Sequence, residues 1–472
     1  KRNWQESRPG TPFEINEEIL KRFLGSLPFT LTAAQDKVLK EILGDVRKAT
    51  PMIRLLQGEV GSGKTVVATA ALLIAAANGF QGAFMAPTEI LAEQHFGTIC
   101  QLLGKLGREE GEGSIKSYTG FLPKPLRIAL LIGDIKQAGK KKIQQQIQEG
   151  EIDIAIGTHA LVQKGLEFNK LGLAVVDEQH RFGVEQRAAL REKGFNPHML
   201  VMTATPIPRT LALTLYGDLD LSVINELPPG RQTVKTKWLR PDQRESAYAF
   251  VRKQVNAGRQ AFILCPLIEE SDAIAAQAAV VEYEHLSQEV FPDLRVGLLH
   301  GRLSSAEKDA SMEEFRAGRR DILVSTPVIE VGIDIPNATV MFIESADRFG
   351  LSQLHQFRGR VGRGKEQSYC MLLAENPSEV GRERLDIIEN TQDGFKLAEE
   401  DLKMRGPGEF FGTRQSGLPD LRMAKISDVA ILELARNEAI KLFQVDPGMK
   451  REEHKPLAQE MARVWSDAGE WS

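Results

Sequence analysis

The sequence predicts an α/β protein of two successive lobes with mainly parallel sheets, followed by a C-terminal helical hairpin. Three observations carry that expectation. Short apolar runs alternate with helix-forming stretches along most of the chain, the pattern of repeated strand–helix–strand units. Pro228-Pro229-Gly230 breaks the chain midway, and a second alternating series then begins. One glycine-rich loop, Gly58-Glu59-Val60-Gly61-Ser62-Gly63-Lys64-Thr65, separates a strand-like run from a helix-like run in the first series, and the second series has no counterpart.

At 472 residues the chain exceeds a single core. The expected division is a linker and lead-in helix over 1–28, a first lobe over 29–232, a second over 233–377, and a hairpin, loop and C-terminal helices over 378–472. Apolar content of 42% and charged content of 26% are ordinary for a globular protein. No run of about twenty apolar residues offers a membrane span. The first residue is Lys1 and no signal sequence follows, so the chain reads as a fragment or processed product of a cytoplasmic protein. Cys100, Cys265 and Cys370 lie far apart in apolar settings, which predicts buried free thiols rather than a disulfide framework or zinc site. A net charge of −4 excludes a global basic footprint; any nucleic acid must sit in a local groove.

Residues 1–28 are polar around Pro9, Gly10 and Pro12, then amphipathic at Ile19, Leu20, Phe23 and Leu24. Phe29-Thr30-Leu31-Thr32-Ala33-Ala34-Gln35 opens the next helix with Thr32 as N-cap. Residues 52–56 predict a buried strand, and 66–77 a helix of good formers closed by Asn78-Gly79. Further strands are expected at 82–86, 128–132, 152–156, 173–176 and 199–202. Residues 104–127, polar and glycine-rich with Glu109, Glu110 and Glu112, read as a surface insertion loop. The second series predicts strands at 261–264, 296–299, 321–324, 339–343 and 369–373. Near the C-terminus, 378–390 and 395–405 predict helices separated at Asp393-Gly394, with Gly406-Pro407-Gly408 stopping the second and starting a loop.

The chemistry lies where strands end. Gly58, Gly61, Ser62 and Gly63 let backbone N–H groups converge on anionic oxygens at the positive end of a helix. Lys64 then reaches the β- and γ-phosphates of a nucleotide, and the Thr65 hydroxyl ligates Mg²⁺. The Gln35 amide both donates and accepts, as reading an adenine edge requires. Pro87-Thr88-Glu89, Gly157-Thr158-His159, Asp177-Glu178 and Thr203-Ala204-Thr205 each follow a predicted strand, and ligands sit beyond the carboxyl ends of strands in open α/β sheets. Asp177 is the expected Mg²⁺ holder, Glu178 the group that orients and deprotonates water, and His180 a coupling residue. In the second lobe, Gln356-Phe357-Arg358-Gly359-Arg360-Val361-Gly362-Arg363 spaces arginines so that Arg360 and Arg363 are expected to share a helix face. A guanidinium suits charge developing on a transferred phosphoryl group. With one phosphate loop between two lobes, ATP is expected in the cleft, and hydrolysis then depends on closure.

With these residues in place the chain resembles the superfamily 2 helicases, nearly throughout from residue 28 onward. The resemblance runs from the Q-type adenine motif (Phe29 to Gln35) and motif I (Gly58 to Thr65) through Ala86-Pro87-Thr88-Glu89, Gly157-Thr158-His159, Asp177-Glu178-Gln179-His180 and Thr203-Ala204-Thr205. It continues with His300-Gly301-Arg302-Leu303, the segment Val328 to Asp334, and Gln356 to Arg363. Asp177-Glu178-Gln179-His180-Arg181-Phe182-Gly183-Val184 and Gly412-Thr413-Arg414-Gln415 narrow it to the RecG family of bacterial branch-migration helicases.

That resemblance implies two RecA-like lobes and an ATP- and Mg²⁺-dependent duplex-DNA translocase acting on stalled forks and Holliday junctions in repair and recombination. Nucleotide contacts are implied for Phe29, Gln35, Gly332 and Asp334, and catalytic roles for Lys64, Asp177, Glu178, Gln356, Arg360 and Arg363. Thr88, Thr158, His159, Arg302 and Thr326 become DNA-backbone contacts, and His180, Thr203 and Thr205 coupling residues. Arg405, Arg414 and Gln415 become parts of a translocation lever. Implied partners are branched and duplex DNA and a single-stranded-DNA-binding protein, for a cytoplasmic, nucleoid-associated monomer with no membrane attachment. Pro327 departs from the small polar residue usual in its motif. The family's N-terminal wedge, an oligonucleotide-binding fold, has no counterpart in these residues, so the resemblance implies the motor portion. The alternatives are a translocase like the transcription-repair coupling factor and an RNA-dependent helicase.

Overall fold

The computed structural model describes residues 10–467 except 112, 134, 164, 178–192, 194–195, 206–218, 227–231, 266–271, 328–334, 365, 411–428 and 447. The chain forms two compact units. One comprises the described parts of Lys1–Pro206 and Asp220–Gly394, the other those of Ile207–Leu219 and Phe395–Ser472.

The first unit holds two sheets. In the first, strands β1 (Ile53–Gly58), β2 (Gln81–Met85), β3 (Arg108–Glu110), β4 (Ile115–Thr119), β5 (Leu126–Leu131), β6 (Ile154–Gly157), β7 (Leu171–Val176), β8 (His198–Thr203) and β9 (Asp220–Ile224) lie in the order β3-β4-β5-β6-β2-β7-β8-β1-β9. From β5 to β9 every pairing is parallel. The carboxyl ends of β1, β2, β6, β7 and β8, and the polar residues that follow them, therefore share one edge. Strands buried on both faces read as continuous apolar runs, which is why the predicted ones were legible.

Helices α1 (Glu17–Ser26), α2 (Ala33–Val46), α3 (Lys64–Ala77), α4 (Glu89–Leu103) and α5 (Gln137–Gln148) accompany this sheet. Thr32 caps α2 in a reciprocal capping box with Gln35, Asn16 caps α1 and Thr88 caps α4. Helix α3 is apolar nearly all round, so it lies wholly inside the core, and Gly79 turns the chain out of it at φ +74°.

Residues 104–127 depart from the expected loop. β3 and β4 form an antiparallel hairpin on β5, extending the sheet edge. Tyr118 is fully buried, with its hydroxyl donating to the Cys100 carbonyl at 3.3 Å. β3 is short, charged and exposed, the composition that blunts an edge strand and hides it from a hydrophobicity pattern. Edge strand β9 was likewise not anticipated.

The second sheet contains β10 (Lys235–Leu239), β11 (Gln260–Leu264), β12 (Val296–Leu299), β13 (Ile322–Ser325), β14 (Ala338–Ile343) and β15 (Tyr369–Leu373), all parallel, in the order β10-β15-β14-β11-β13-β12. β10 is an unanticipated edge strand carrying Lys235 and Lys237. Helices α6 (Arg244–Asn256), α7 (Asp272–His285), α8 (Ser305–Arg316) and α9 (Leu351–Arg358) accompany this sheet, and α10 (Glu379–Asn390) follows its last strand. The three cysteines are buried and free, as expected.

α11 (Gly394–Phe410) begins with the last residue of the first unit and otherwise belongs to the second, which also holds α12 (Val429–Val445) and α13 (Lys455–Asp467). The expected stop at Gly406-Pro407-Gly408 is not observed: α11 runs through it to Phe410. Proline there removes one backbone donor in the final turns, and the flanking glycines carry no Cβ to crowd it. Among the described residues no helix is long and apolar enough to cross a membrane.

Candidate nucleotide site and its surroundings

The loop after β1 is shaped by its glycines. Gly61 and Gly63 take φ of +78° and +86°. A Cβ on Gly63 would stand 2.3 Å from the Gln35 amide nitrogen, so only glycine fits. Gln35 is 1% exposed, not a surface residue. Its Oε1 accepts from Thr32 N at 2.9 Å and its Nε2 donates to the Ser62 carbonyl at 2.7 Å, so both ends of the amide are engaged within the protein. Gln35 thus ties the cap of α2 to the loop, and Phe29 is 40% exposed. Glu226 adds a hydrogen bond from Ala34 N, 3.2 Å.

Lys64 opens α3 with its side chain turned into the loop, donating to the Gly58 and Glu59 carbonyls at 2.7 and 2.9 Å. Thr65, beside it in the first helical turn, is half-buried. At the end of β7, Asp177 is buried and its Oδ2 accepts from His95 Nε2 at 2.8 Å. His95 stacks obliquely on Phe84 with ring centroids 4.5 Å apart. The histidine comes from mid-α4, where nothing local to the sequence marks it. Thr65 and Asp177 each offer only oxygen donors, the hard chemistry that suits Mg²⁺ retaining several waters.

At the end of β8, Thr203 is buried and its Oγ1 accepts from Thr205 N at 3.2 Å. Thr205 Oγ1 accepts from Gln356 Nε2 at 3.0 Å, a contact between the two sheet-bearing lobes. Gly359 also lies against the loop: a Cβ there would sit 3.8 Å from that of Val60.

The expected helix bearing Arg360 and Arg363 is not present. α9 ends at Arg358, Gly359 caps it, and Gly362 turns the chain at φ +79° where a Cβ would stand 2.8 Å from Val234. Arg360 is buried, and Arg363 is half-buried with its Nε donating to the Gly359 carbonyl at 3.3 Å. Arg358 is the structural arginine of the group. It is 3% exposed and donates to the Ile388 and Thr391 carbonyls at 2.9 and 2.8 Å, and to that of Gln392 at 3.3 Å. Burial pushes its pKa down from the usual guanidinium value, yet an arginine stays charged, and the carbonyls compensate.

On the strand-end edge, Thr88 serves as N-cap and Thr158 is buried, its hydroxyl lacking a hydrogen-bond partner. His159 and Arg302 are exposed, and Thr326 is buried after β13 with its N–H donating to the Leu299 carbonyl at 3.2 Å. Glu178, His180, Gly332, Asp334, Arg414 and Gln415 lie outside the described residues, as does the side chain of Arg405.

Three family models match the chain: a DEAD/DEAH box helicase over residues 32–214, a helicase conserved C-terminal domain over 244–365, and the C-terminal part of domain 3 of the ATP-dependent DNA helicase RecG over 391–472. The chain is 51% identical to an ATP-dependent DNA helicase RecG of Synechocystis over 93% of its length and 51% of that protein's. Against the RecG of Bacillus subtilis it is 49% identical, covering 97% of this chain and 65% of that one. The chain thus spans about half to two thirds of these curated relatives. A solved structure of RecG bound to a three-way DNA junction superposes with a TM-score of 0.75 at 46% identity, over 92% of this chain and 54% of that one. The DNA-bound helicase MrfA, at 16% identity and a TM-score of 0.58 over 92% of this chain and 63% of that one, shares the fold. The two parallel-sheet lobes are tandem RecA-like domains.

Proposed function

The chain belongs to the RecG family of ATP-dependent DNA helicases, and from that premise we propose that it is an ATP-driven motor on duplex DNA that remodels branched junctions and stalled forks. Residues 29–232 and 233–377 are its two lobes, and 378–472 its translocation element. The observation that carries the reading is the approach of the second lobe to the phosphate loop: Gln356 bonds Thr205 while Gly359 lies against Val60. That approach supports the reading in which a nucleotide on this loop has its charge answered by the arginines of the other lobe.

In the proposed reaction water attacks the γ-phosphate in line with the departing diphosphate. Lys64 holds the β- and γ-phosphates, and Arg360 and Arg363 offset charge developing on the equatorial oxygens. Glu178 orients the attacking water and takes its proton. Thr65 and Asp177 hold Mg²⁺, which when bound neutralises phosphate charge. His95 fixes the Asp177 carboxylate for that task. Phe29 faces the base, and Gln35 acts on the loop as much as on any adenine edge. Thr88, Thr158, His159, Arg302 and Thr326 track the DNA backbone, giving binding that is independent of sequence and weakened by salt. A single-stranded-DNA-binding protein is a further proposed partner, and the working form is a monomer.

The test is ATP hydrolysis with no polymer, linear duplex, single-stranded DNA, a model fork, and RNA. Stimulation by duplex or fork DNA is expected. Stimulation by RNA alone overturns the DNA reading.

A further inference from the structure

The hydrogen bonds around Glu59 lead from the loop after β1 to Gly394, the last residue of the first unit. Glu59 is the second residue of the loop. Its backbone carbonyl accepts from Ser62 N at 3.1 Å and from the Lys64 ammonium at 2.9 Å. Its side chain engages the other lobe: Oε1 accepts from Gly394 N at 2.8 Å and lies 3.7 Å from His355 Nε2. Gly394 is the first residue of α11, where backbone N–H groups have no partner within the helix and a carboxylate is favoured by the helix dipole.

The same turn is held from a second side. Arg358 Nη2 contacts His355 Nδ1 at 3.0 Å, and because a guanidinium only donates, Nδ1 is the acceptor and His355 carries its proton on Nε2, towards Glu59. Arg358 also donates to the carbonyls of Ile388, Thr391 and Gln392. Residues 388–394, which join α10 to α11, are thus gripped through their carbonyls by Arg358 and through the Gly394 N–H by Glu59.

We propose that Glu59 is a positioning residue that transmits the state of the phosphate loop to the α10–α11 turn; this rests on the motor reading above. The Lys64 ammonium serves both the Glu59 carbonyl and, in the proposed reaction, phosphate oxygens. Drawing it onto a phosphate loosens the Glu59 peptide, and the carboxylate of that same residue carries the change to Gly394, the junction with the second unit. Communication therefore bypasses the catalytic arginines and runs from the loop itself.

The experiment measures, in one reaction, triplex-strand displacement along a duplex track and ATP hydrolyzed, for the wild-type chain, Glu59→Ala and Glu59→Gln. Loss of one charge-assisted hydrogen bond should lower displacement per ATP about tenfold in Glu59→Ala, whereas Glu59→Gln keeps an acceptor and should stay within about threefold of wild type. Gly394→Pro removes the donor at a helix-first position that tolerates proline and should reproduce the Glu59→Ala ratio, also where Glu59→Ala yields no folded protein. An unchanged ratio in Glu59→Ala or Gly394→Pro overturns the role of Glu59, as does a Glu59→Gln ratio as low as that of Glu59→Ala. Wild-type hydrolysis indifferent to DNA instead overturns the motor reading, and the role of Glu59 with it.

Discussion

Gln356 Nε2 donates to Thr205 Oγ1 across 3.0 Å, joining residues 151 positions apart that belong to different sheet-bearing lobes. The bond connects the segment after β8 to the helix that leads into Arg360 and Arg363. Gln356→Ala and Thr205→Ala should each reduce DNA-stimulated ATP hydrolysis, and the double variant should be little worse than either alone. A double-mutant cycle should return a coupling of about 0.5–1.5 kcal/mol, and strict additivity would separate the two residues functionally.

Lys64→Ala should lower the turnover number for ATP by about a hundredfold or more, since its ammonium is the one cation placed inside the described loop. DNA affinity, measured by fluorescence anisotropy at fixed salt, should change little. Near wild-type hydrolysis in this variant would remove the loop from the chemistry.

His95→Ala should leave ATP affinity near wild type and raise the Mg²⁺ concentration needed for half-maximal hydrolysis by about tenfold, the usual effect of losing a hydrogen bond that orients a metal-holding carboxylate. A Mg²⁺ titration at saturating ATP and DNA checks this. An unaltered midpoint would make the His95–Asp177 pair purely structural.

Arg358→Ala should destabilise the fold by about 3 kcal/mol, because three backbone carbonyls around the α10 terminus lose their donor within the core. Arg358→Lys should recover only part of this, since an ammonium cannot span the same fork. Thermal denaturation of the two variants against wild type gives the order directly.

His198 sets an acid limit on stability. Met52 N donates to its Nδ1 at 2.9 Å, so the buried ring is neutral and its Nε2 donates to the Thr11 carbonyl at 2.9 Å. Burial lowers its folded pKa below the ordinary histidine value of 6.5. The unfolded chain therefore binds the proton more readily, and stability is full above that value and declines below it, by at most about 1.4 kcal/mol per pH unit. Melting temperature should fall as pH drops below the ordinary value, and His198→Asn should flatten that part of the profile.

Much of the fold was legible because strands buried on both faces have to be apolar throughout. The glycine-rich turn after β1 was legible because Gly61 and Gly63 take positive φ. The edges were not. β3 and β10 carry charge because they face water, and charge is what a hydrophobicity pattern discards; β9 is half-buried and offers only three apolar residues, broken by Ser222. Arg360 and Arg363 were picked out by their spacing, but the helix inferred from that spacing ends at Arg358, and Gly362 takes a turn instead. The α11 stop inferred from Gly406-Pro407-Gly408 failed because local propensity there is a weak prior against an established helix.

By itself the sequence determined which groups are available: a glycine-rich loop, an acidic strand end, a cluster of arginines, and two successive, mainly parallel sheets. Those follow from local rules, since a glycine turn, a cap or an apolar run needs only its neighbours. Only the tertiary structure decided who holds whom. Gln35 braces the loop, His95 orients Asp177, Arg358 serves the α10 terminus, and Glu59 reaches Gly394 from 335 positions away. Hydrogen bonds act over about 3 Å in space and are blind to separation along the chain, so no periodicity records them before the lobes have packed.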